Sequence, residues 1–358
     1  MKIIVLTFVL ALASIVRGLA ADIAAIEPVN LTKMATIQWD GRNRETIDAR
    51  IINGQGSIVL YHCTNIVISA CDLHSIELNF CERVTIYNCW IHDSTNCGVQ
   101  LWKCRDVLVQ GCRIENVVSG VYAMSSQQVQ VIGNFMRNMQ GPYPRGQAAQ
   151  FDRVTGTNNV IRGNYAINEY HKSDPEDVFS SAMSRGEESS PILVENNYAT
   201  GDPRHGSEDM SLSGSGIMIG DGGGAYVVCR SNVIISAGQV GIGVAGGQFM
   251  RVENNLIYGK KSNASNVGLF IWNQTNTPTD HVTLIGNRVQ WVKRDGTENS
   301  WWDGGGVQKV ELKDNHFEDS SLATNLPAPP SRAPMPPQPY VSLNADGAKV
   351  VRLPWKPE

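Results

Sequence analysis

A short unit of alternating apolar residues recurs along this chain and constrains its fold more than any other feature. Gly98–Cys112, GVQLWKCRDVLVQGC, contains an alternating run that begins at glycine, a polar pair, and a second alternating run that ends at a small residue. Each run is rich in Val and Ile and bounded by Gly, Asn, Ser or Asp, which predicts β-strands. The second run ends successively at Cys71, Cys89, Cys112, Asn134, Asn164, Asn197, Asn232, Asn255, Asn287 and Asn315.

The spacing of the units predicts how the strands are connected. The first steps are 89−71 = 18, 112−89 = 23 and 134−112 = 22 residues, too short for parallel strands joined by crossover helices. We therefore expect an all-β, single-stranded parallel β-helix of about ten coils, with successive coils about 4.8 Å apart. The end positions would stack into Cys and Asn ladders along the axis. Cys63, Cys81 and Cys104 predict a second column of the same kind.

The remaining segments predict the domain organisation and the location of the protein. Lys2, an apolar run and Gly18-Leu19-Ala20 have the pattern of a cleaved signal peptide, so we expect a secreted or periplasmic protein without a stable membrane span. The expected regions are a signal peptide over 1–20, an N-terminal cap over 21–48, the β-helix over 49–320, a proline-rich linker over 321–339 and a C-terminal tail over 340–358.

Charge and cysteine content narrow the classes of partner. The formal net charge is −4 and no basic stripe is present, so nothing favours a nucleic-acid partner. Export would favour disulfides among the eight cysteines. Stacked columns instead place parallel side chains too far apart for a relaxed bridge, which favours buried free thiols. No CxxC pair supports a metal cluster.

Enlarged units predict where a functional site lies. From Asn134 the steps become 164−134 = 30, 197−164 = 33 and 232−197 = 35 residues. We expect these additional residues to follow the Asn column and to form one wall beside the next strand. Alternation along that strand directs Trp102 and Tyr122 outward, where aromatic rings suit stacking against sugars. The sequence therefore predicts a polysaccharide groove.

The candidate residues of this groove allow more than one chemistry. Elimination or C5 epimerisation of a uronate needs an arginine or a bound Ca²⁺ at the carboxylate and a base such as lysine or histidine, whereas hydrolysis needs two carboxylates. No cofactor is otherwise indicated and no metal ligand is assigned. The catalytic candidates are Asp152, Arg153, His171, Lys172, Asp174, Glu176, Asp177, Arg204 and His205. The substrate-binding candidates are Trp102, Tyr122, Gln150, Tyr143, Arg145 and Tyr170.

Structural roles are the alternatives for several of these residues. Asp177 stands at the start of a strand, where it can cap a turn as readily as take part in catalysis. Asp221 lies in GDGGG and is expected to close a tight turn with its own backbone. The acidic and basic side chains of the wall can also form a solvated rim.

The repeat resembles that of the right-handed parallel β-helix superfamily typified by pectate lyases. This resemblance covers residues 49–320 and implies a right-handed coil in an exported carbohydrate-active enzyme that acts on an acidic polysaccharide. Lyase or epimerase activity is expected before hydrolase activity. Asp174-Pro175-Glu176-Asp177 resembles the DPHD motif of mannuronan epimerases, with Glu176 in place of the histidine.

Other features of the chain resemble proteins without a defined activity. Glu176-Asp177-Val178 and Gly214–Gly224 are similar to motifs of exported bacterial β-helix repeat proteins. Together with the proline-rich linker they keep a second hypothesis open, a non-catalytic glycan-binding or adhesion β-helix. Some related β-helix enzymes are trimeric, so an oligomer is compatible with the resemblance.

Overall fold

A computed structural model describes residues 36–48, 56–169, 172–201, 214–275, 277–330, 341–343 and 349–351. Its chain divides into one unit of residues 33–337 and a second unit of residues 1–32 with 338–358. No helix in these described ranges is long and apolar enough to cross a membrane. The predicted signal peptide, residues 1–20, lies outside them.

Three parallel sheets form the larger unit. Sheet A contains β1 (Ile37–Asp40), β3 (Ser57–Tyr61), β6 (Ser75–Asn79), β9 (Val99–Trp102), β12 (Val121–Met124), β15 (Ala149–Asp152), β18 (Phe179–Ala182), β21 (Ser215–Asp221), β24 (Val240–Val244), β27 (Val267–Trp272) and β30 (Trp301–Gly305).

Sheets B and C complete each coil. Sheet B contains β2 (Asn43–Asp48), β4 (Thr64–Ser69), β7 (Glu82–Tyr87), β10 (Arg105–Gln110), β13 (Gln127–Ile132), β16 (Val160–Arg162), β19 (Ile192–Glu195), β22 (Ala225–Arg230), β25 (Gln248–Glu253), β28 (Asp280–Ile285) and β31 (Val310–Lys313). Sheet C contains β5 (Asp72–Leu73), β8 (Trp90–Ser94), β11 (Arg113–Val117), β14 (Phe135–Arg137), β17 (Tyr165–Ile167), β20 (Tyr198–Thr200), β23 (Val233–Ile235), β26 (Leu256–Gly259), β29 (Arg288–Trp291) and β32 (His316–Phe317).

The order of the strands confirms the predicted parallel β-helix. Each strand pairs in parallel with the strand one coil before it and one coil after it, as β12 does with β9 and β15. Val99, Val121 and Ala149 are consequently aligned, and all three are fully buried. Taking one such valine side chain out of water contributes about 1.5–3 kcal/mol. The core is thus a set of columns of small and branched apolar residues.

An asparagine ladder holds the corner between sheets B and C, as the sequence predicts. Asn134 donates from its backbone N and its Nδ2 to Asn164 Oδ1, both at 3.0 Å. Asn164 Nδ2 in turn donates to Val131 O at 2.9 Å and to Asn197 Oδ1 at 3.0 Å. Each buried amide is therefore satisfied by the coils on either side, and leaving one unpaired would cost about 1–3 kcal/mol.

The cysteines form the predicted columns as buried thiols. All eight cysteines are free and buried. Cys104 Sγ lies 3.2 Å from Leu78 O and Cys81 Sγ lies 3.5 Å from Leu60 O, one coil earlier in each case. Ser126 continues this column, because its Oγ accepts from Cys104 N at 3.0 Å.

The additional residues of the enlarged coils lie mainly between sheets C and A. The segments 138–148, 168–178 and 201–214 connect β14 to β15, β17 to β18 and β20 to β21. Smaller additions at 156–159 and 186–191 lie at the start of sheet B instead. The expectation that every added residue shares one corner is therefore wrong for these two segments.

Close contact between coils explains why many units begin at glycine. A Cβ on Gly120, just before β12, would lie 2.3 Å from Ala148 O of the next coil. That distance is far below van der Waals contact, so this corner accepts only a residue without a side chain.

The predicted cap and tail lie at the two ends of the described chain. The strands β1 and β2 fall within the segment expected as a cap, and they pair with β3 and β4 as coil strands. After β32, a 3-10 helix spans Ser320–Ala323, and Tyr198 Oη then donates to Pro327 O at 3.4 Å. In the smaller unit, β33 (Val341–Leu343) and β34 (Lys349–Val351) pair antiparallel.

Candidate functional site

The first two enlarged turns pack backbone against backbone beside sheet A. Glu176 N donates to Arg145 O at 3.2 Å. A Cβ on Gly146 would lie only 2.5 Å from Pro175 Cα, and Gly146 has φ +111, so the close approach depends on glycine. This packing brings Arg145 and Glu176 together at the edge of sheet A.

Outward residues of sheet A lie next to these turns. The strand register aligns Trp102, Met124 and Asp152 in one outward column. Tyr122 and Gln150 are aligned in the neighbouring outward column. This face of sheet A therefore carries four of the residues that the sequence assigned to the groove.

A hydrogen-bonded pair forms the centre of this face. Tyr122 Oη donates to Asp152 Oδ2 at 2.8 Å, and Arg153 Nη1 lies 2.8 Å from Asp152 Oδ1. Burial, and then the hydrogen bond to Asp152, raise the pKa of Tyr122 to about 12. Tyr122 is therefore a neutral donor, and Asp152 accepts from it and from an arginine as a carboxylate does.

Arg145 covers the ring of Tyr122. Its Nη2 donates to Tyr122 Oη at 3.1 Å, and its Cζ lies 4.2 Å from the ring centre in a cation–π contact. Tyr122 is consequently only 3% exposed. The expectation that this ring stacks on a sugar does not fit the structure, because a guanidinium already occupies that position.

Glu176 is a carboxyl group with an unusual protonation state. Its Oε2 accepts from Gln147 Nε2 at 2.7 Å. Burial, followed by the charges of Asp177 and Asp221, raises the pKa of Glu176 to about 8, against the opposing hydrogen bond from Gln147. At neutral pH Glu176 therefore carries a proton while remaining partly accessible.

Asp177 lies behind Glu176 and joins two coils. Its Oδ1 accepts from Ser215 N at 2.9 Å and from Ser215 Oγ at 2.6 Å. Burial raises the pKa of Asp177 to about 6, although the two hydrogen bonds from Ser215 oppose the shift. These contacts are those of a structural bridge, the role that the sequence left open beside catalysis.

Asp221 is the exposed carboxylate of the group. It ends β21, and the turn that follows is closed by Gly223 N donating to Gly220 O at 2.9 Å. The charge of Asp221 acts on both Glu176 and Asp177. Among the described residues no hydrogen bond or ion pair engages its carboxylate, so it is available to a ligand.

Other predicted residues lie at the margin of this group. Lys172 is 65% exposed at its side chain, and its Nζ pairs with Glu169 Oε2 at 3.1 Å. Tyr143 is 55% exposed, and Asp174 is half-buried. Lys172 is therefore engaged at the surface rather than directed at the carboxyl cluster.

Trp102 and four further candidates complete the predicted set. Trp102 is half-buried on β9, with Lys103 Nζ 5.6 Å from its ring centre. The candidates Tyr170, His171, Arg204 and His205 lie outside the described residues.

The structure brings together six of the predicted residues and adds two that sequence reasoning missed. The six are Tyr122, Arg145, Asp152, Arg153, Glu176 and Asp177. Gln147 and Asp221 are the additions. The position of Gln147 in its unit could have indicated it. Gln147 and Asp177 each lie two residues before a strand of sheet A, β15 at 149−147 = 2 and β18 at 179−177 = 2.

No metal centre accompanies this group. Across the described ranges, no three His, Cys, Asp or Glu side chains are arranged to hold a metal ion.

The chain is similar to known β-helix proteins at the level of fold. A family model of the right-handed β-helix region matches residues 35–178. A tailspike protein mutant of E. coli bacteriophage HK620, in complex with a hexasaccharide, is 13% identical to this chain with a TM-score of 0.48. The alignment covers 80% of this chain and 55% of the tailspike chain. No curated protein sequence matches the chain.

Two further solved structures show the same similarity. An exopolygalacturonase from Thermotoga maritima is 13% identical with a TM-score of 0.43, covering 75% of this chain and 85% of its own. An alginate lyase from a Paenibacillus species is 12% identical with a TM-score of 0.39, and the alignment covers 77% of this chain and 98% of the lyase chain. At these identities the likeness concerns the fold alone.

The sheets and the family match define the class: this chain is a right-handed parallel β-helix protein. Its acidic residues at sheet A are Glu176 and Asp177 in the turn before β18, with Asp152 and Asp221 at the ends of β15 and β21.

Proposed function

We propose that the protein is an exported carbohydrate-active enzyme that hydrolyses a glycan bound along the outer face of sheet A. The observation that carries this proposal is the raised pKa of one carboxyl group, Glu176, beside the outer face of sheet A. Glu176 has its pKa raised to about 8, whereas Asp221 is exposed at the end of β21. Neighbouring carboxyl groups whose environments separate their pKa values are the usual basis of acid and base roles in glycosidases.

Glu176 is the proposed general acid. It is protonated at neutral pH, and Gln147 Nε2 holds its Oε2 at 2.7 Å, so its orientation is restricted. A carboxylic acid in this state can donate its proton to the leaving glycosidic oxygen. Asp177 supports this role, because its negative charge opposes ionisation of Glu176.

Asp221 is the proposed partner carboxylate. Its charge raises the pKa of Glu176, although Asp221 ends the seven-residue strand β21, whose first residue, Ser215, contacts Asp177. In hydrolysis such a group either activates a water molecule or attacks the sugar directly, depending on the distance between the two carboxyl groups. Asp152 has a structural role instead, because its two carboxylate oxygens bind Tyr122 and Arg153 and hold these side chains on the outer face of sheet A.

Gln150 offers a further contact for a sugar hydroxyl. It is buried on β15 beside Asp152, and its Oε1 has no hydrogen-bond partner within the described part of the chain. A buried acceptor without a partner costs free energy, and a ligand hydroxyl would remove that cost. Trp102 lies on β9, two strands from Asp152 on β15 in the order of sheet A, where it can contact an adjoining sugar ring.

Elimination on a uronate is the second candidate, favoured by Arg145. Its guanidinium lies at the Tyr122 hydroxyl, where a cation could neutralise a substrate carboxylate. The raised pKa of Tyr122 opposes its use as the base, and Lys172 is paired with Glu169. Hydrolysis therefore fits the described residues better than the lyase or epimerase reaction.

The test separates these reactions by their products. The purified chain is incubated with neutral polysaccharides and with polyuronates, and both reducing ends and the absorbance of unsaturated uronate are followed. Hydrolysis predicts new reducing ends without unsaturated product. Unsaturated product would establish elimination instead. The absence of either product with every substrate would favour the glycan-binding hypothesis.

Substitution of the acid tests the assignment of Glu176. We expect Glu176→Gln to lower the turnover rate by about 10²–10⁴-fold, the usual contribution of a general acid. Glu188→Gln is the matched control, because Glu188 is exposed on the segment 186–191. Equal rates for the wild type and Glu176→Gln would remove Glu176 from the mechanism.

A further inference from the structure

Two exposed tryptophans form a platform on the outer face of sheet A, beyond the carboxyl cluster. Trp272 ends β27 and is 42% exposed, and Trp302 on β30 is 43% exposed. Their ring centres are 5.6 Å apart with an interplanar angle of 60°. Phe270 is buried beside them, with its ring centre 6.1 Å from that of Trp302. Large apolar side chains left exposed together commonly mark a binding surface.

Glycines make room for this arrangement. A Cβ on Gly304 would lie 2.7 Å from Trp272 Cβ and 2.7 Å from Trp302 Cη2. A Cβ on Gly243 would lie 2.6 Å from Phe270 Cε1. The missing side chains therefore allow the rings to lie against the sheet, which gives the platform a fixed shape.

The platform is continuous with the proposed active site. The strand β27 lies two strands beyond β21, which carries Asp221, in the order of sheet A. Two strand spacings correspond to about 10 Å along the helix axis. A glycan chain that follows the axis from Asp221 would thus bring a sugar a small number of units away onto Trp272 and Trp302.

Charge on this face restricts the kind of glycan. All eleven strands of sheet A lie within the described chain, and they contain no Lys, Arg or His. The acidic residues of these strands are Asp40, Glu77, Asp152, Asp221 and Asp303. Arg145 and Arg153 lie at Tyr122 and Asp152, but Asp221 and Asp303 lie on β21 and β30 at the tryptophan end of the face, where a polyuronate would meet like charges.

We infer that Trp272 and Trp302 form a remote subsite for a neutral glycan, which runs along sheet A from the carboxyl cluster. This inference rests on the proposed function for the direction of the chain, and it replaces the acidic polysaccharide expected from the sequence by a neutral one. Indole rings bind the apolar faces of neutral sugars, while hydroxyl groups reach polar side chains nearby.

Binding measurements test the subsite without requiring turnover. The probes are hexasaccharides and disaccharides of glucose, mannose, galactose and xylose, with hexamers of galacturonate and mannuronate at the same concentrations. We expect the wild type to bind one neutral hexasaccharide more tightly than any disaccharide or uronate hexamer. Trp272→Ala with Trp302→Ala should weaken hexasaccharide binding about tenfold, the effect of about 1.4 kcal/mol.

Controls keep the result interpretable. Phe249→Ala removes a 41% exposed aromatic ring from sheet B and should leave binding unchanged. Trp272→Phe with Trp302→Phe keeps aromatic surface and should retain most of the affinity, and thermal unfolding of each variant reports whether the coil is intact.

The outcomes separate the subsite from the proposed reaction. Equal hexasaccharide affinity for the wild type and the double alanine variant, or tighter binding of a uronate hexamer, overturns the inference even if hydrolysis is found. Loss of affinity in the alanine variant without turnover on any substrate supports the subsite and rejects the enzyme. Dimerisation that the alanine substitutions abolish, with no saccharide binding, would assign the platform to a second copy and overturn the inference.

Discussion

Glu176 beside sheet A and Glu195 on sheet B are the same chemical group in opposite electrostatic states. Burial raises the pKa of Glu176 to about 8, and its neighbours Asp177 and Asp221 add to the shift. Burial also acts on Glu195, but hydrogen bonds from Arg230 and Arg162 outweigh it and lower the pKa of Glu195. Burial raises the pKa of both groups, and the opposite outcomes arise because two arginines oppose it at Glu195 whereas two acidic neighbours add to it at Glu176.

The two sheets use one architecture for two purposes. Ion pairs join neighbouring strands of sheet B, including one between Arg230 Nε and Glu195 Oε2 at 2.6 Å. Sheet A has no cationic residue in its strands, and the arginines that reach it, Arg145 and Arg153, come from the adjoining turns and contact Tyr122 and Asp152. The ion pairs of Glu195 stabilise its ionised form, whereas Glu176, which has no ion pair among the described residues, keeps a proton that can be transferred to a ligand.

Neutralising each glutamate should change the free energy of unfolding in opposite directions at pH 7. Glu195→Gln leaves Arg162 and Arg230 without their carboxylate, and we expect a loss of about 1–3 kcal/mol because both arginines are partly exposed. Glu176→Gln removes a group that must take up a proton on folding, so this variant should be more stable than the wild type. Urea unfolding of the two variants measures both effects.

Glu188→Gln is again the control, and its stability should equal that of the wild type. Destabilisation by Glu176→Gln at pH 7 would contradict the raised pKa and, with it, the contrast between the two sheets.

The pH dependence of stability sharpens the same contrast. The pKa of Glu176 is raised in the folded state. Its contribution to the free energy of unfolding is therefore fully present below the unfolded pKa, about 4.3, and is lost as pH rises through about 8. The lowered pKa of Glu195 has the reverse sign, so its contribution is present above the unfolded value and is lost toward acid. The advantage of Glu176→Gln should therefore vanish near pH 4 and stop growing above about pH 8.

Thermal unfolding midpoints at pH 4, 5, 7 and 9 measure this dependence in matched ionic strength. Parallel curves for the wild type and Glu176→Gln would show that the folded and unfolded states bind protons alike at Glu176, contrary to the expectation.

Sequence reasoning recovers the coil because its signals repeat. Asn134 and Asn164 occupy one position of the unit, and their stacking follows once a parallel coil is assumed. The outward positions of Trp102 and Asp152 follow equally from alternation along a strand. Each of these features depends on periodicity, which a single chain displays many times.

Contacts made across the enlarged turns could not be read in the same way. Arg145 covers Tyr122 because two turns pack backbone against backbone, and no periodicity encodes the path of either turn. Trp272 and Trp302 lie beyond those turns, so the positions of those turns do not indicate them. Asp221 was assigned to its own turn because its neighbours Glu176 and Asp177 belong to an earlier coil.

The smallest expected effect concerns the single hydrogen bond that opposes the raised pKa of Glu176. Gln147 Nε2 donates to Glu176 Oε2 at 2.7 Å and favours the ionised form, so Gln147→Met should raise the pKa further and move the alkaline limit of activity to higher pH. The shift should be modest, since burial, the largest cause, is unchanged. The pH profile of kcat measures it, with Gln308→Met, an exposed glutamine, as the control. An alkaline limit that moves to lower pH would mean that Gln147 stabilises the protonated acid, and the limit would then have to be assigned to another group than Glu176.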